Sequence, residues 1–174
     1  MSTHLALVLL CGASAAVTLG AADKSLIDGG APAFEMVWSE GMTKSLVDVP
    51  AQGGKVLHVV VPSKTEQPWN AQTWVTPLAT DIAAGDTVRI TLSARCVAPS
   101  QSGEISVSVG MNADPWTETA AEKLDVGPEW KDYTITGVAQ DALPAASGRF
   151  GFVVGYQAQT IEVAKIVVSD LGKK

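Results

Sequence analysis

Apolar and polar residues alternate along much of the chain, and this alternation predicts strands. In the stretch Thr87–Val97 five apolar residues share one face and the polar residues share the other: Val88, Ile90, Leu92, Ala94 and Cys96 against Thr87, Arg89, Thr91, Ser93 and Arg95. Side chains in a strand alternate between its two faces, so this pattern is typical of an antiparallel strand with one dry and one wet side.

The same alternation recurs over residues 103–109 and leads into a loop. Apolar and polar positions again separate: Ile105, Val107 and Val109 against Glu104, Ser106 and Ser108. Gly110 ends the run, and Asn112, Asp114 and Pro115 favour a turn. That turn leaves Trp116 beside the polar face, where a flat apolar ring is unusual unless a ligand stacks on it.

Further strands are predicted from shorter runs with the same character. They cover residues 34–38 and 46–49 as edge strands, and residues 55–61, 73–78, 130–137, 149–155 and 159–168. Residues 55–61 are apolar on both faces, which predicts cover on both sides. In 159–168 the apolar face switches near Ala164, which predicts a β-bulge. Residues 115–124 have an alternative interpretation as a short helix capped by Asp114.

Many short strands separated by turn signals predict an all-β fold with little or no helix. We expect one β-sandwich of antiparallel sheets, a jelly roll, over residues 23–174. Residues 1–22 contain no charged side chain and include an apolar run, which predicts a signal peptide cleaved before Asp23. The protein is then secreted or periplasmic and free of the membrane after cleavage; an uncleaved anchor is the alternative.

Composition argues against several classes of function. A net charge of -6 and a pI near 4.8 disfavour binding to nucleic acid or to anionic membranes. Beyond residue 22 the sequence has one histidine, His58, and one cysteine, Cys96, which is too few for a usual zinc site or a Cys/His nucleophile. We interpret His58 as a core residue with its hydrogen bonds satisfied and Cys96 as a buried apolar one.

The acidic pairs Glu118/Glu122 and Glu129/Asp132 are interpreted as solvated surface, since sequence cannot bring two carboxylates together across a cleft. We therefore predict that the protein is not an enzyme. Tryptophan is more informative, because five Trp stand beside only three Phe and two Tyr. Trp69 and Trp116 follow prolines in polar loops and are predicted to be exposed. Trp38 and Trp130 are predicted to pack, and Trp74 is left open between the two.

Five motifs together resemble the carbohydrate-binding modules of families 4, 9 and 22. They are P-W-N-A-Q at 68–72, A-G-D-T-V-R-I-T-L-S-A-R at 84–95, V-G-M-N-A-D-P-W at 109–116, E-W-K-D-Y at 129–133 and R-F-G-F-V-V-G-Y-Q-A-Q-T-I-E-V at 149–163. The resemblance implies that Asn112 supplies an amide and Trp116 a stacking ring, and that Trp38 is the aromatic residue that stacks near the amino terminus. Relatives that bind glucan through glutamines have them where this chain shows residues 152–154.

The resemblance also implies a structural calcium ion, for which only Glu162 stands at a matching position; no other cofactor is expected. Hydroxyl-binding side chains are predicted on the wet faces: Ser106, Ser108, Arg89, Arg95, Thr91 and Gln72. We thus expect a monomeric, non-catalytic module that binds a xylan or β-glucan chain in a groove across one sheet. The expected binding residues are Trp116, Asn112, Trp69, Trp74, Gln72, Arg95 and Trp38. The alternative is a structural or protein-binding jelly roll of the cell envelope with no sugar site.

Overall fold

Two antiparallel β-sheets face each other across an apolar core in the computed structural model, which describes residues 23–27, 33–97 and 99–173 and, within these, no side chain for residues 36 and 37. The strands in chain order are β1 Lys24–Ser25, β2 Glu35–Ser39, β3 Thr43–Val49, β4 Gly54–Val61, β5 Ala71–Val75, β6 Thr87–Val97, β7 Gly103–Met111, β8 Glu118–Val126, β9 Lys131–Val138, β10 Gly148–Val153 and β11 Gln159–Asp170. Three short 3-10 turns cover Pro50–Gln52, Pro68–Asn70 and Ala145–Ser147.

One sheet has six strands and the other has five. The six-stranded sheet runs in the order β3-β4-β11-β6-β9, with β1 also paired to β11; the five-stranded sheet runs β2-β5-β10-β7-β8. The predicted all-β sandwich is confirmed. The two predicted edge strands, β2 and β3, do lie at sheet edges.

The predicted inner faces form the core. In β6 every residue assigned to the dry face is buried, and β7 and β10 add Ile105, Val107, Val109, Phe150 and Phe152 from the opposite sheet. Phe34 stacks on Phe152 with 5.1 Å between ring centroids, and Phe150 meets both rings edge-on. Interdigitating inner faces of this kind are what hold a sandwich together.

Two local predictions are confirmed and one alternative is wrong. The register of β11 against β6 shifts between Ala164 and Val167, which is the bulge that the switch of apolar face predicted. Cys96 is buried, and burial raises the pKa of its thiol. The helix considered for residues 115–124 does not form, because β8 pairs with β7 from Glu118 onward and buries Ala120, Leu124 and Val126.

His58 and its strand differ from the prediction. Leu57, Val59 and Val61 of β4 enter the core, but His58 and Val60 are only half-buried on the outer face. His58 is therefore not a core residue; its Nδ1 lies 3.1 Å from a carboxylate oxygen of Glu162. The outer face of β4 is covered only at the end that carries Val56.

The predicted signal peptide, residues 1–22, lies outside the described residues. Within the described part of the chain, no helix is long and apolar enough to cross a membrane.

Candidate functional site

A groove of about 720 Å³ crosses the outer face of the five-stranded sheet. Four of the five tryptophans line it, together with polar and small residues: Trp38, Trp69, Trp74, Trp116, Gln72, Asn112, Glu118, Arg149 and Val153. Three of the rings are largely open to solvent, with exposures of 59% for Trp38, 57% for Trp69 and 50% for Trp116. Large exposed rings that share one concave surface are typical of a binding site.

Two glycines pair with residues that line this groove. Gly151 of β10 lies between Trp74 of β5 and Ser108 of β7, and Gly110 of β7 lies opposite Arg149. A Cβ atom on Gly151 would come within 2.5 Å of both the Thr73 carbonyl oxygen and the Trp74 ring. The absence of a side chain at Gly151 thus lets the Trp74 indole lie close against the sheet.

A β-bulge brings Trp38 to the groove. In β2, Glu35 pairs with Trp74 and Met36 with Thr73, but the register then shifts so that Trp38 pairs with Gln72. Directly paired residues lie on the same face of a sheet, so the shift moves Trp38 to the outer face beside Gln72. Without it, Trp38 would share the inner face with Phe34, which is buried. The prediction that Trp38 packs is therefore wrong, because the ring is exposed and lines the groove.

Trp69 stands on the short turn Pro68–Asn70, which is fixed from several sides. The Pro68 carbonyl accepts from Gly155 N at 3.1 Å and the Asn70 side-chain amide donates to Glu40 Oε1 at 2.6 Å. Thr65 is buried beside this turn and donates to the Gln67 carbonyl at 2.6 Å. The turn holds the Trp69 ring at the mouth of the groove while leaving it exposed, as predicted.

The loop between β7 and β8 carries Asn112 and Trp116. Met111 N donates to the Thr117 carbonyl at 2.8 Å, Trp116 N to the Ala113 carbonyl at 2.7 Å, and Asn112 N to the Ser147 carbonyl at 2.7 Å. Trp116 adopts a φ of 55°, which is uncommon for a bulky residue. Strained backbone of this kind persists where surrounding contacts fix it, and it concentrates at functional sites. Here it directs the exposed indole toward Trp74, with 6.1 Å between the ring centroids.

Arg149 is the polar residue at the centre of the site, and the sequence-based prediction missed it. Its guanidinium carbon lies 4.0 Å from the centroid of the Trp74 ring and 5.9 Å from that of Trp116. Its Nε donates to the Met111 carbonyl at 3.1 Å. A signal was present in the sequence, because Arg149 has the parity opposite to Phe150 and Phe152 and so belongs to the outer face.

A second depression of about 350 Å³ adjoins the groove and shares Trp69, Glu118 and Val153 with it. Tyr156 lies here, with its hydroxyl 2.5 Å from Ser106 Oγ, and Lys123 Nζ lies 4.4 Å from the Tyr156 ring. The hydrogen bond from Lys123 to Glu104 raises the pKa of the lysine. The concave surface therefore continues along the sheet beyond the four tryptophans.

Arg95 does not reach the groove, so its predicted place among the binding residues is wrong. It lies on β6, on the outer face of the six-stranded sheet, with Arg89 and Thr91, whereas Ser106, Ser108 and Gln72 belong to the other sheet. Its Nε and one terminal nitrogen contact Glu162 at 2.8 and 2.7 Å, and its guanidinium carbon lies 4.9 Å from the half-buried Trp130 ring. Alternation alone cannot tell which sheet a wet face belongs to.

Glu162 has a structural environment that does not suit a calcium ion. One carboxylate oxygen faces His58 and the other faces Arg95. Calcium needs six to eight oxygen ligands, whereas nitrogen atoms of His58 and Arg95 contact the two carboxylate oxygens here. In the described ranges no three His, Cys, Asp or Glu side chains form a group that could hold a metal ion. The geometry gives the implied calcium site at Glu162 no support.

No protein-family model matches the sequence, and no curated protein matches it. Solved structures do share its fold. A CBM4 structure superposes with a TM-score of 0.65 at 18% identity, over 82% of this chain and 98% of the other. The amino-terminal cellulose-binding domain of a β-1,4-glucanase from Cellulomonas fimi gives 0.60 at 18% identity, over 81% and 90%. A xylan-binding CBM22 domain from Paenibacillus barcinonensis gives 0.57 at 11%, over 87% and 94%. The chain thus has the jelly-roll fold of carbohydrate-binding modules.

Proposed function

We propose that the protein is a secreted, non-catalytic module that binds a soluble polysaccharide chain, xylan or β-glucan, in the groove of the five-stranded sheet. The observation that carries this proposal is that three exposed tryptophan rings line one groove. An exposed indole offers a broad apolar face, and sugar rings have apolar faces of similar size that stack on it. The fold shared with a cellulose-binding and a xylan-binding domain supports the same class of ligand.

The polar residues of the groove suit a ligand rich in hydroxyl groups. Asn112 and Gln72 each offer a donor and an acceptor, Glu118 offers acceptors, and the terminal nitrogens of Arg149 offer donors. Stacking rings with a few convergent polar groups are the usual composition of a small-molecule or sugar site.

The alternative function, a structural or protein-binding jelly roll, predicts a different exposure for the same tryptophans. It is favoured if Trp69 and Trp116 are both buried and no groove is present, because such a domain has no reason to expose them. Trp69 is 57% exposed and Trp116 is 50% exposed, and both rings line the groove. This observation favours the sugar-binding proposal.

The test is a calorimetric titration of the protein with xylan, mixed-linkage glucan and soluble cellulose derivatives. We expect at least one polymer to bind and Trp116→Ala to weaken that binding about tenfold, equivalent to about 1.4 kcal/mol. Trp116→Phe keeps a ring and should retain most of the affinity. Val167→Ala removes an exposed apolar side chain from the other sheet and should change nothing.

Two results would contradict the proposal. Absence of binding to every polymer would remove the function, and unchanged affinity in Trp116→Ala would remove the assigned site.

A further inference from the structure

Arg149 is a buried cation that forms no ion pair with any acidic residue in the described part of the chain. Its side chain lines the groove, yet the residue as a whole is only 7% exposed. Across the described ranges, six ion pairs have N···O separations of 4.0 Å or less, and Arg149 takes part in none. A guanidinium stays charged in proteins, so this positive charge is held against aromatic rings rather than against a carboxylate.

Burial has an electrostatic cost at this position. Desolvation lowers the pKa of Arg149, and the charge of Glu118 opposes that effect only in part. Glu118 lies at the exposed start of β8 and lines the same groove, but it stays beyond ion-pair distance. A buried charge left without a partner is strongly unfavourable, and an anion that binds beside it removes much of the penalty.

The free part of Arg149 is the part that recognises carboxylates. Nε is occupied by the Met111 carbonyl, and the terminal nitrogens make no hydrogen bond to any described residue. These nitrogens form a planar pair of donors, which matches the two oxygens of a carboxylate or phosphate. In a groove that binds polysaccharide, the corresponding ligand group is the carboxylate of a uronic acid.

The surrounding charges limit how acidic the ligand is. The chain carries a net charge of -6, and Glu118 and Glu122 border the groove and the adjoining depression. A densely charged polyuronate would be repelled by this surface, whereas one isolated carboxylate would meet one buried guanidinium.

We infer that, if the proposed function holds, the groove selects polysaccharides with a neutral backbone and isolated uronic-acid side groups, whose carboxylate binds the terminal nitrogens of Arg149. The tryptophan rings hold the polysaccharide backbone, and the carboxylate supplies a counter-ion that no described residue provides. This assigns Arg149 as the residue that determines specificity within the site.

The experiment compares two polymers that differ only in charge. One is xylan with glucuronic acid side groups, and the other is the same preparation after chemical reduction of its carboxyl groups to alcohols. We expect the parent protein to bind the acidic form at least about tenfold more tightly at low salt, and the preference to shrink as salt rises. Carboxymethylcellulose of low substitution, before and after reduction of its carboxyl groups, repeats the comparison on a glucan backbone.

Two variants should move the preference in opposite directions. Arg149→Gln should abolish it, because the cation is lost, while Glu118→Gln should strengthen it, because a repelling carboxylate is lost. Arg149→Lys keeps the charge without the planar pair of donors and should retain part of it. If Arg149→Gln fails to fold, the parent and Glu118→Gln still decide the question.

The outcomes separate this inference from the proposed function. Equal binding of acidic and reduced polymers would leave the sugar-binding proposal standing and overturn the role of Arg149. A preference for the acidic polymer that Glu118→Gln weakens would also overturn it, because the loss of a repelling carboxylate should favour the acidic polymer. Failure of every polymer to bind would overturn both.

Discussion

Two arginines lie against tryptophan rings on opposite faces of the sandwich, and their surroundings differ in one respect. Arg95 on the six-stranded sheet contacts Trp130 and two of its nitrogens contact Glu162. Arg149 on the five-stranded sheet lies against Trp74 and Trp116, and its nearest acidic neighbour in the groove is beyond ion-pair distance. Among the residues that the structure describes, the first charge has an acidic partner and the second has none within ion-pair distance.

If the proposed function holds, this difference separates an arginine that stabilises the fold from one that binds a ligand. A cation that directs two of its nitrogens to a buried carboxylate has its charge compensated within the fold. A cation that keeps free donors in a groove has an uncompensated charge until an anion binds beside it. The same pair of residue types, arginine on tryptophan, therefore has different consequences on the two faces.

The largest expected effect is on stability when each arginine is replaced by methionine. Arg95→Met leaves the buried Glu162 with only His58 as partner, and we expect the free energy of unfolding to fall by about 2–3 kcal/mol. Arg149→Met loses one hydrogen bond and its ring contacts but removes an unbalanced buried charge, so we expect a change within about 1 kcal/mol. Urea unfolding followed by tryptophan fluorescence measures both.

A double variant provides the control for this comparison. Arg95→Met with Glu162→Met removes both partners and should recover at least half of the loss, because no unpaired charge remains buried. If Arg149→Met is as destabilising as Arg95→Met, the two arginines have the same structural role and the distinction is wrong.

The next effect concerns Gly151, which pairs with Trp74 beside the Arg149 site. Gly151→Ala places a methyl group within 2.5 Å of the Thr73 carbonyl and the Trp74 ring, so we expect a loss of about 1–2 kcal/mol from overpacking. Displacement of Trp74 should also weaken polymer binding. Gly127→Ala meets no atom within 4 Å and is the matched control. A stable Gly151→Ala variant that binds normally would show that the position of Trp74 does not depend on a glycine at residue 151.

The sequence predicted those parts of the fold that depend on local alternation. All five apolar residues assigned to the dry face of β6 are buried, and the bulge near Ala164 follows from a change of apolar parity that is visible in the sequence. Which two sheets the strands form, and which wet face belongs to which sheet, depends on pairing between distant residues. Arg95 was therefore grouped with Gln72 although the two lie on different sheets.

Six of the seven residues that the sequence predicts to bind lie together, three of them in loops and three on strands. The structure brings together Asn112, Trp116, Trp69, Trp74, Gln72 and Trp38. Two features of the site, the outward position of Trp38 and the missing counter-ion of Arg149, cannot be predicted from the sequence. Period-two alternation from Phe34 assigns Trp38 to the core, and the register shift that reverses this depends on pairing with β5. The outward parity of Arg149 could be read from the sequence, but its lack of a counter-ion could not.

The smallest expected effect comes from comparing a tryptophan on each sheet, Trp38 and Trp130, in place of the two arginines. Trp38 is exposed in the groove, so Trp38→Ala should change the free energy of unfolding by less than about 0.5 kcal/mol while weakening polymer binding. Trp130 is half-buried under Arg95, so Trp130→Ala should cost about 1 kcal/mol of stability and leave binding unchanged. Thermal unfolding and the polymer titration together measure both quantities. A binding loss in Trp130→Ala, or a stability loss in Trp38→Ala, would contradict the distinction. It would mean that the outer face of the six-stranded sheet also binds, or that the groove face also stabilises the fold.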